Sequence, residues 1–139
     1  MTSQPAETRR PNRLERRLSQ SALLFEADVL DQLVARDPEN VAYLAALGQA
    51  CSKLKHHNRG LAVDRRLVEA KPGDPTFRYN LACSLVLTGD LDEACEQLLR
   101  AIDLGYRDFV HLRRDEDLVQ LRNDARFATI QERIAQVEV

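Results

Sequence analysis

Tryptophan is absent from this chain, and aromatic residues of every kind amount to only 5% of it. Its core must therefore be built from aliphatic side chains rather than large rings. Glycine and proline number five each in 139 residues. That is too little punctuation for a chain of many short strands, and β-branched runs are short as well, so helix is favoured over sheet. No apolar run approaches the roughly 18 residues of a membrane span, and no leader-like apolar segment is visible, so the expected compartment is the cytoplasm. The net charge of −2 is close to neutral. Nothing global draws the chain to nucleic acid or to an anionic membrane.

The chemistry of catalysis is equally sparse. Cys51, Cys83 and Cys95 have no CxxC spacing, and in a cytoplasmic helical protein they read as small core or groove residues in the reduced state. The helix stripe predicts Cys95 buried and Cys83 the more accessible. A nucleophilic cysteine needs a base nearby, and His111 is the one histidine outside the His56-His57 turn. Adjacent histidines on a turn point apart and do not make a ligand pair. The acidic runs Asp90-x-Asp92-Glu93 and Asp115-Glu116-Asp117 lack the ligand alternation and mid-loop glycine of a calcium loop, and helix capping accounts for them. With no phosphate loop or dinucleotide fingerprint either, we expect no catalytic residues, no cofactor and no metal.

What the chain does have is a period of 34 residues. Pro38 is followed by Pro72, Asn40 by Asp74, Leu47 by Leu81, Gly48 by Ala82 and Gly60 by Ala94. A fixed period of this length marks stacked supersecondary units, each burying its apolar face against its neighbours. Within a unit, Leu44-x2-Leu47-Gly48-x2-Cys51 is followed by Gly60-x3-Asp64 and Pro72. The next unit has Arg78-x2-Leu81-Ala82-x2-Leu85 and then Ala94-x3-Leu98. Small residues at Gly48, Gly60, Ala82 and Ala94 let two antiparallel helices approach closely. Leu91, Ala94, Cys95, Leu98, Ala101 and Ile102 form an amphipathic stripe. It is opened by Asp90-Leu91-Asp92-Glu93 after Gly89 and closed by Gly105. Asp74-Pro75 offers an N-cap and a first-turn proline. The first unit's turn, Lys55-His56-His57-Asn58, has no glycine.

This pattern resembles the tetratricopeptide repeat family over residues 22–106, and Gly105-Tyr106-Arg107-Asp108 through Arg126-Phe127 is similar to a segment that closes such arrays in many bacterial proteins. The resemblance implies an all-α fold, a right-handed superhelix of αα-hairpins with terminal capping helices. Residues 1–11 are expected as a disordered arm and 12–139 as one domain. Its parts are a capping or degenerate repeat helix over 12–40, repeats over 41–74 and 75–108, and a cap over 109–139. Helices are expected near 12–36 (continuous, or alternatively broken around Ser19–Ser21), 41–54, 58–70, 75–87, 91–104 and 124–136, with short turns between 108 and 121. Phe127, Ile130 and Ile134 should pack near Leu98 or Ile102. Asp64 and Arg78 occupy positions where the repeat has large apolar or aromatic residues, and an ion pair between them is expected. The methionine at position 1 and the closing segment lead us to expect a whole module rather than part of a fusion.

The resemblance also implies a non-catalytic interaction module or adaptor that holds a peptide or helix in its concave groove. By helix phase the groove residues are Ala42, Ala45, Gln49, Ser52 and Lys53, then Thr76, Tyr79, Asn80, Cys83, Val86 and Leu87. Some family members grip a C-terminal carboxylate there; Asn80 matches that pattern, while Ala45 and Gln49 replace the clamp's lysine and asparagine. The partner is a protein or peptide, with the chain's own N-terminal segment or a second copy in a homodimer as alternative occupants. A competing reading places function in Arg9, Arg10, Arg13, Arg16 and Arg17, as a regulatory or nucleic-acid-associated arm. Without interleaved aromatics, nucleic acid is a poor fit to it. Binding through phosphates would collapse with added salt.

Overall fold

Three helices in this chain end in the same way. Past the helix that stops at Lys53, His56 N–H donates to Cys51 C=O (2.9 Å) and Lys55 N–H to Ser52 C=O (3.1 Å). The same pair of bonds closes the helices ending at Leu87 (Asp90 to Leu85, Gly89 to Val86) and Asp103 (Tyr106 to Ala101, Gly105 to Ile102). This end geometry needs one residue with positive φ. Gly89 (93°) and Gly105 (115°) supply it at low cost, and Lys55 (58°) takes it where the first turn has no glycine. Lys55 stands one period before Gly89, so the backbone repeats even where the residue type does not.

The computed structural model describes residues 9–138. It is all-α: α1 (Arg13–Arg36), α2 (Val41–Lys53), α3 (His57–Ala70), α4 (Pro75–Leu87), α5 (Leu91–Asp103), α6 (Phe109–Arg114), α7 (Val119–Arg122) and α8 (Phe127–Val137), with a 3-10 turn at Glu116–Leu118. No strand occurs among the described residues. The start points follow from short polar side chains. Asn12 and Glu15 form a reciprocal capping box on α1, and Asn40, Asp74, Asp90 and Asp108 each accept a backbone N–H of the helix that follows. Asn40, Asp74 and Asp108 are each one period apart, so the capping rhythm continues past Tyr106, where the sequence pattern fades. Most of the expected disordered arm lies outside the described residues. Of what is described, Arg9 reaches Glu15 at 2.5 Å. Of the two forms open for the first helix, the continuous one occurs, and α1 runs unbroken through Ser19–Ser21.

Consecutive helices pack on each other from α1 to α5, α8 packs on α5, and the 3-10 turn packs on α4. The core divides into two clusters. One holds Ala27, Leu30 and Val34 of α1 with Leu44, Leu47, Cys51, Val63 and Leu67. The other joins Leu81, Leu85, Leu98 and Ile102 to Leu112, Leu118, Leu121, Phe127, Ile130 and Ile134. So the C-terminal third is packed onto α4 and α5 rather than trailing from them. The helices approach closely at the small residues: a Cβ on Gly60 would already be in ordinary contact with that of Cys51 at 3.5 Å, and one on Gly48 with Val63 and Asp64 at 3.5 Å. Cross-helix ion pairs decorate the outside, including a bidentate Arg65–Glu93 pair at 2.7 and 2.8 Å. Exposed as they are, such pairs contribute about 0–1 kcal/mol each.

Two expectations are corrected by the packing. Asp64 and Arg78 do not pair. Ser84 Oγ donates to Asp64 Oδ2 (2.5 Å), whereas Arg78 turns outward to Pro72 C=O (3.0 Å) and Gln97 Oε1 (2.9 Å). Asp64 faces α4 from inside, and Arg78 sits on the α5 side of that helix. The cysteine order is also reversed: Cys83 is buried with 7% exposure, and Cys95 is half-buried on the flank beside Arg126. Thiol labelling of the native protein should therefore modify Cys95 well before Cys51 and Cys83. Early loss of the Cys83 thiol would mean that the segment covering it opens freely.

Candidate functional site

Helices α2 and α4 start from equivalent caps one period apart, so the same helical face of each turns to the same side. Between these faces and α3 lies a cavity of about 370 Å³. Ala45, Gln49 and Ser52 line it from α2, and Thr76, Tyr79, Asn80, Cys83 and Leu87 line it from α4. Each of these was singled out from sequence. Three other groove candidates are placed elsewhere. Ala42 and Lys53 are exposed on α2 but outside the cavity, and Val86 is buried in the core at 1% exposure. The packing of the 3-10 turn on α4 explains Val86: Leu118 and its neighbours cover a face that a bare repeat would leave open.

That same segment builds the far wall of the cavity, with His111, Asp115 and Asp117, and His56, His57 and Asp64 are also part of the lining. Asp115 is the hub. Its Oδ2 accepts from Tyr79 Oη (2.6 Å), lies 3.1 Å from His111 Nε2 and 3.7 Å from Cys83 Sγ, while its Oδ1 accepts the Asp117 N–H (3.0 Å). The Tyr79 ring stacks on Tyr106, centroids 4.4 Å apart and planes 5° from parallel, and meets the His111 ring obliquely. Arg122 Nη1 ties the segment from behind by donating to the carbonyls of Leu112 (3.1 Å) and Asp115 (2.6 Å).

Electrostatics argue that this network is a fastening. Burial, then the carboxylates of Asp115 and Asp117, push the Cys83 thiol well up, the reverse of what activates a nucleophile. Tyr79 is pushed far up by burial and by its neighbours Cys83 and Asp115. Tyr106 is pushed up to about 12, chiefly by burial. Both phenols therefore stay protonated, and Tyr79 donates to Asp115. The donor atoms of Cys83, Asp115 and Asp117 lie within 4.8 Å of one another, near enough to share a cation. Both oxygens of Asp115 already accept protein hydrogen bonds, so an ion there would compete with Tyr79. Asp64, on the α3 side, is 8% exposed, and burial raises its carboxyl to about 6 against the opposing Ser84 hydrogen bond.

His111, Asp115 and Asp117 carry little sequence signal as groove residues, because they arrive from a segment outside the repeat. Asp64 did carry one, a polar residue where Leu98 stands a period later. Comparison of the sequence with protein-family models gives no match, and none of the curated proteins compared matches it.

Proposed function

We propose that this chain is a tetratricopeptide-like array, a right-handed solenoid of αα-hairpins. In this reading it acts without catalysis, as an adaptor that holds an extended peptide or a helix against α2 and α4. The observation that carries the reading is the shared cavity: equivalent faces of two helices one period apart line one concavity, and a third segment walls it. A concave surface of mixed apolar and polar groups on rigid helices suits peptide recognition.

The lining also bears on the partner. Asp64, Asp115 and Asp117 contribute carboxylates, and no lysine or arginine is among the lining residues. A C-terminal carboxylate would find no cationic clamp here, whereas a lysine or arginine side chain of a partner segment would meet opposite charge, at Asp64 and Asp117 more freely than at the hydrogen-bonded Asp115. Exposed Asn80 and Leu87 supply a polar and an apolar contact beside the buried Tyr79. The test is selection of a peptide-display library on the intact chain, followed by titration of the selected peptides. Basic residues should be enriched, and an Asn80→Ala, Leu87→Ala variant should bind about 10–100-fold more weakly, as loss of two anchors of ~1 kcal/mol or more implies. Selected peptides that bind this variant undiminished would move the site off the cavity.

A further inference from the structure

Helix α1 has two apolar faces, and among the described residues one is used in the core. Ala27, Leu30 and Val34 are buried, and α1 packs on α2. Leu14, Leu18, Ala22, Phe25 and Val29 follow one another at spacings of four, four, three and four. At about 100° per residue this holds all five in a narrow arc on the opposite side. The large members of that stripe are exposed: Leu14 63%, Leu18 62%, Phe25 71% and Val29 39%. An apolar stripe along a whole helix face marks an interaction surface. Within α1 no residue before Ala27 is buried, and a helical stretch of about a dozen residues is marginal in water unless something packs on it.

The charges beside the stripe identify the occupant. Arg13, Arg16 and Arg17 stand in the first half of α1 together with Glu15, which Arg9 engages, while Glu26, Asp28 and Asp31 stand in the second, where no basic residue occurs before Arg36; Asp31 is paired with Arg59 of α3. Arg13, Arg17 and Asp28 fall on the same flank of the stripe. Ala22 sits midway, with Leu14 and Leu18 on one side and Phe25 and Val29 on the other. Turned end for end about Ala22, the helix presents apolar residues to apolar residues and Arg17 to Asp28. An anionic lipid or nucleic-acid surface would attract the arginine half and repel the acidic half along the same stripe.

We propose that the chain forms a two-fold dimer in which α1 packs antiparallel on α1 of a second copy, crossing at Ala22 and joined through Leu14, Leu18, Phe25 and Val29. The contact is isologous and closes on itself. Helices α3 and α5 each follow a helix that packs against them in the same chain; in the dimer, α1 gains the corresponding neighbour from the other copy.

Sedimentation equilibrium of the full chain should give about twice the 15.8 kDa of one chain. Leu18→Glu with Phe25→Glu should give monomers whose circular dichroism still shows a folded helical protein, since neither residue is in the core. Arg17→Glu should weaken the dimer at least several-fold, and adding Asp28→Arg to it should restore association. Under mild oxidation Ala22→Cys should cross-link. Leu14→Cys should not, because its counterpart lies roughly 20 Å away along an antiparallel pair. A chain that is monomeric at high micromolar concentration would overturn the proposal, whether or not it sediments with anionic vesicles. So would a dimer indifferent to the glutamate pair, or cross-linking through Leu14→Cys.

Discussion

Replacing Tyr79 with alanine is expected to cost about 3–5 kcal/mol of folding stability, although the residue lines the cavity. Tyr79 is 4% exposed, stacks on Tyr106 and donates to Asp115. Its removal leaves both a void and a half-buried carboxylate short of one donor. Tyr79→Phe keeps the stacked ring and deletes only the hydroxyl, so its cost should be smaller, about 1–3 kcal/mol, the range for a hydrogen bond to a charged group. Urea denaturation followed by circular dichroism measures both. The order matters more than the values: alanine worse than phenylalanine, phenylalanine worse than wild type. If Tyr79→Ala unfolds at the wild-type midpoint, the closing segment is not anchored through this side chain. Because that segment supplies His111, Asp115 and Asp117 to the cavity wall, its fastening and the shape of the site are one property. Tyr79 is consequently a poor choice for separating binding from folding, and Asn80 and Leu87 are better.

Helices α1 to α5 and α8 were legible because they depend on local signals, whereas α6 and α7 form where only short turns are expected. Asn40, Asp74 and Asp90 cap where short acceptor side chains are expected to cap, and Gly89 and Gly105 take the positive φ that ends a helix. The packing of Phe127, Ile130 and Ile134 in the cluster of Leu98 and Ile102 was legible from their common helix face. What could not be read is what the closing segment covers. Helix phase alone aims Val86 and Cys83 at the groove, yet the turn around Leu118 lies over that side of α4, so Val86 is core and Cys83 is the more protected thiol. The Asp64–Arg78 pair failed for a related reason. Both positions do depart from the repeat, but position in the repeat does not fix which neighbour a long side chain chooses, and Arg78 finds Gln97 and a carbonyl instead. The second apolar face of α1 was hidden behind its arginines, and Phe25 and Val29 extend that stripe into residues that also supply the core face.

Between about pH 4 and 6, raising the pH should destabilise the fold through Asp64, and Asp64→Asn should remove most of that dependence. The carboxyl sits at about 6 in the folded chain against an ordinary 3.8, principally because it is buried. In that interval the folded state retains a proton that the unfolded state has already lost, so protons favour folding there, and the advantage is gone once the pH passes about 6. At about 1.4 kcal/mol per pH unit between the two values, ionised Asp64 costs the fold about 2–3 kcal/mol at neutral pH relative to acid. Asparagine has nearly the same shape and can still accept from Ser84, so Asp64→Asn should be about 1–2 kcal/mol more stable than wild type at pH 7.5 and near parity at pH 4. Urea midpoints at the two pH values decide it; a variant less stable than wild type at pH 7.5 would show that the carboxylate has a cationic partner in the folded chain. A residue that weakens its own fold when ionised, at a position where the next unit has Leu98, is explained if a ligand supplies the missing charge. A basic side chain entering the cavity would stabilise ionised Asp64, so binding should release a proton at about pH 6, and the wild-type chain should take up a basic peptide more tightly at pH 7.5 than at pH 5. In Asp64→Asn, both the proton release and this gain in affinity should shrink.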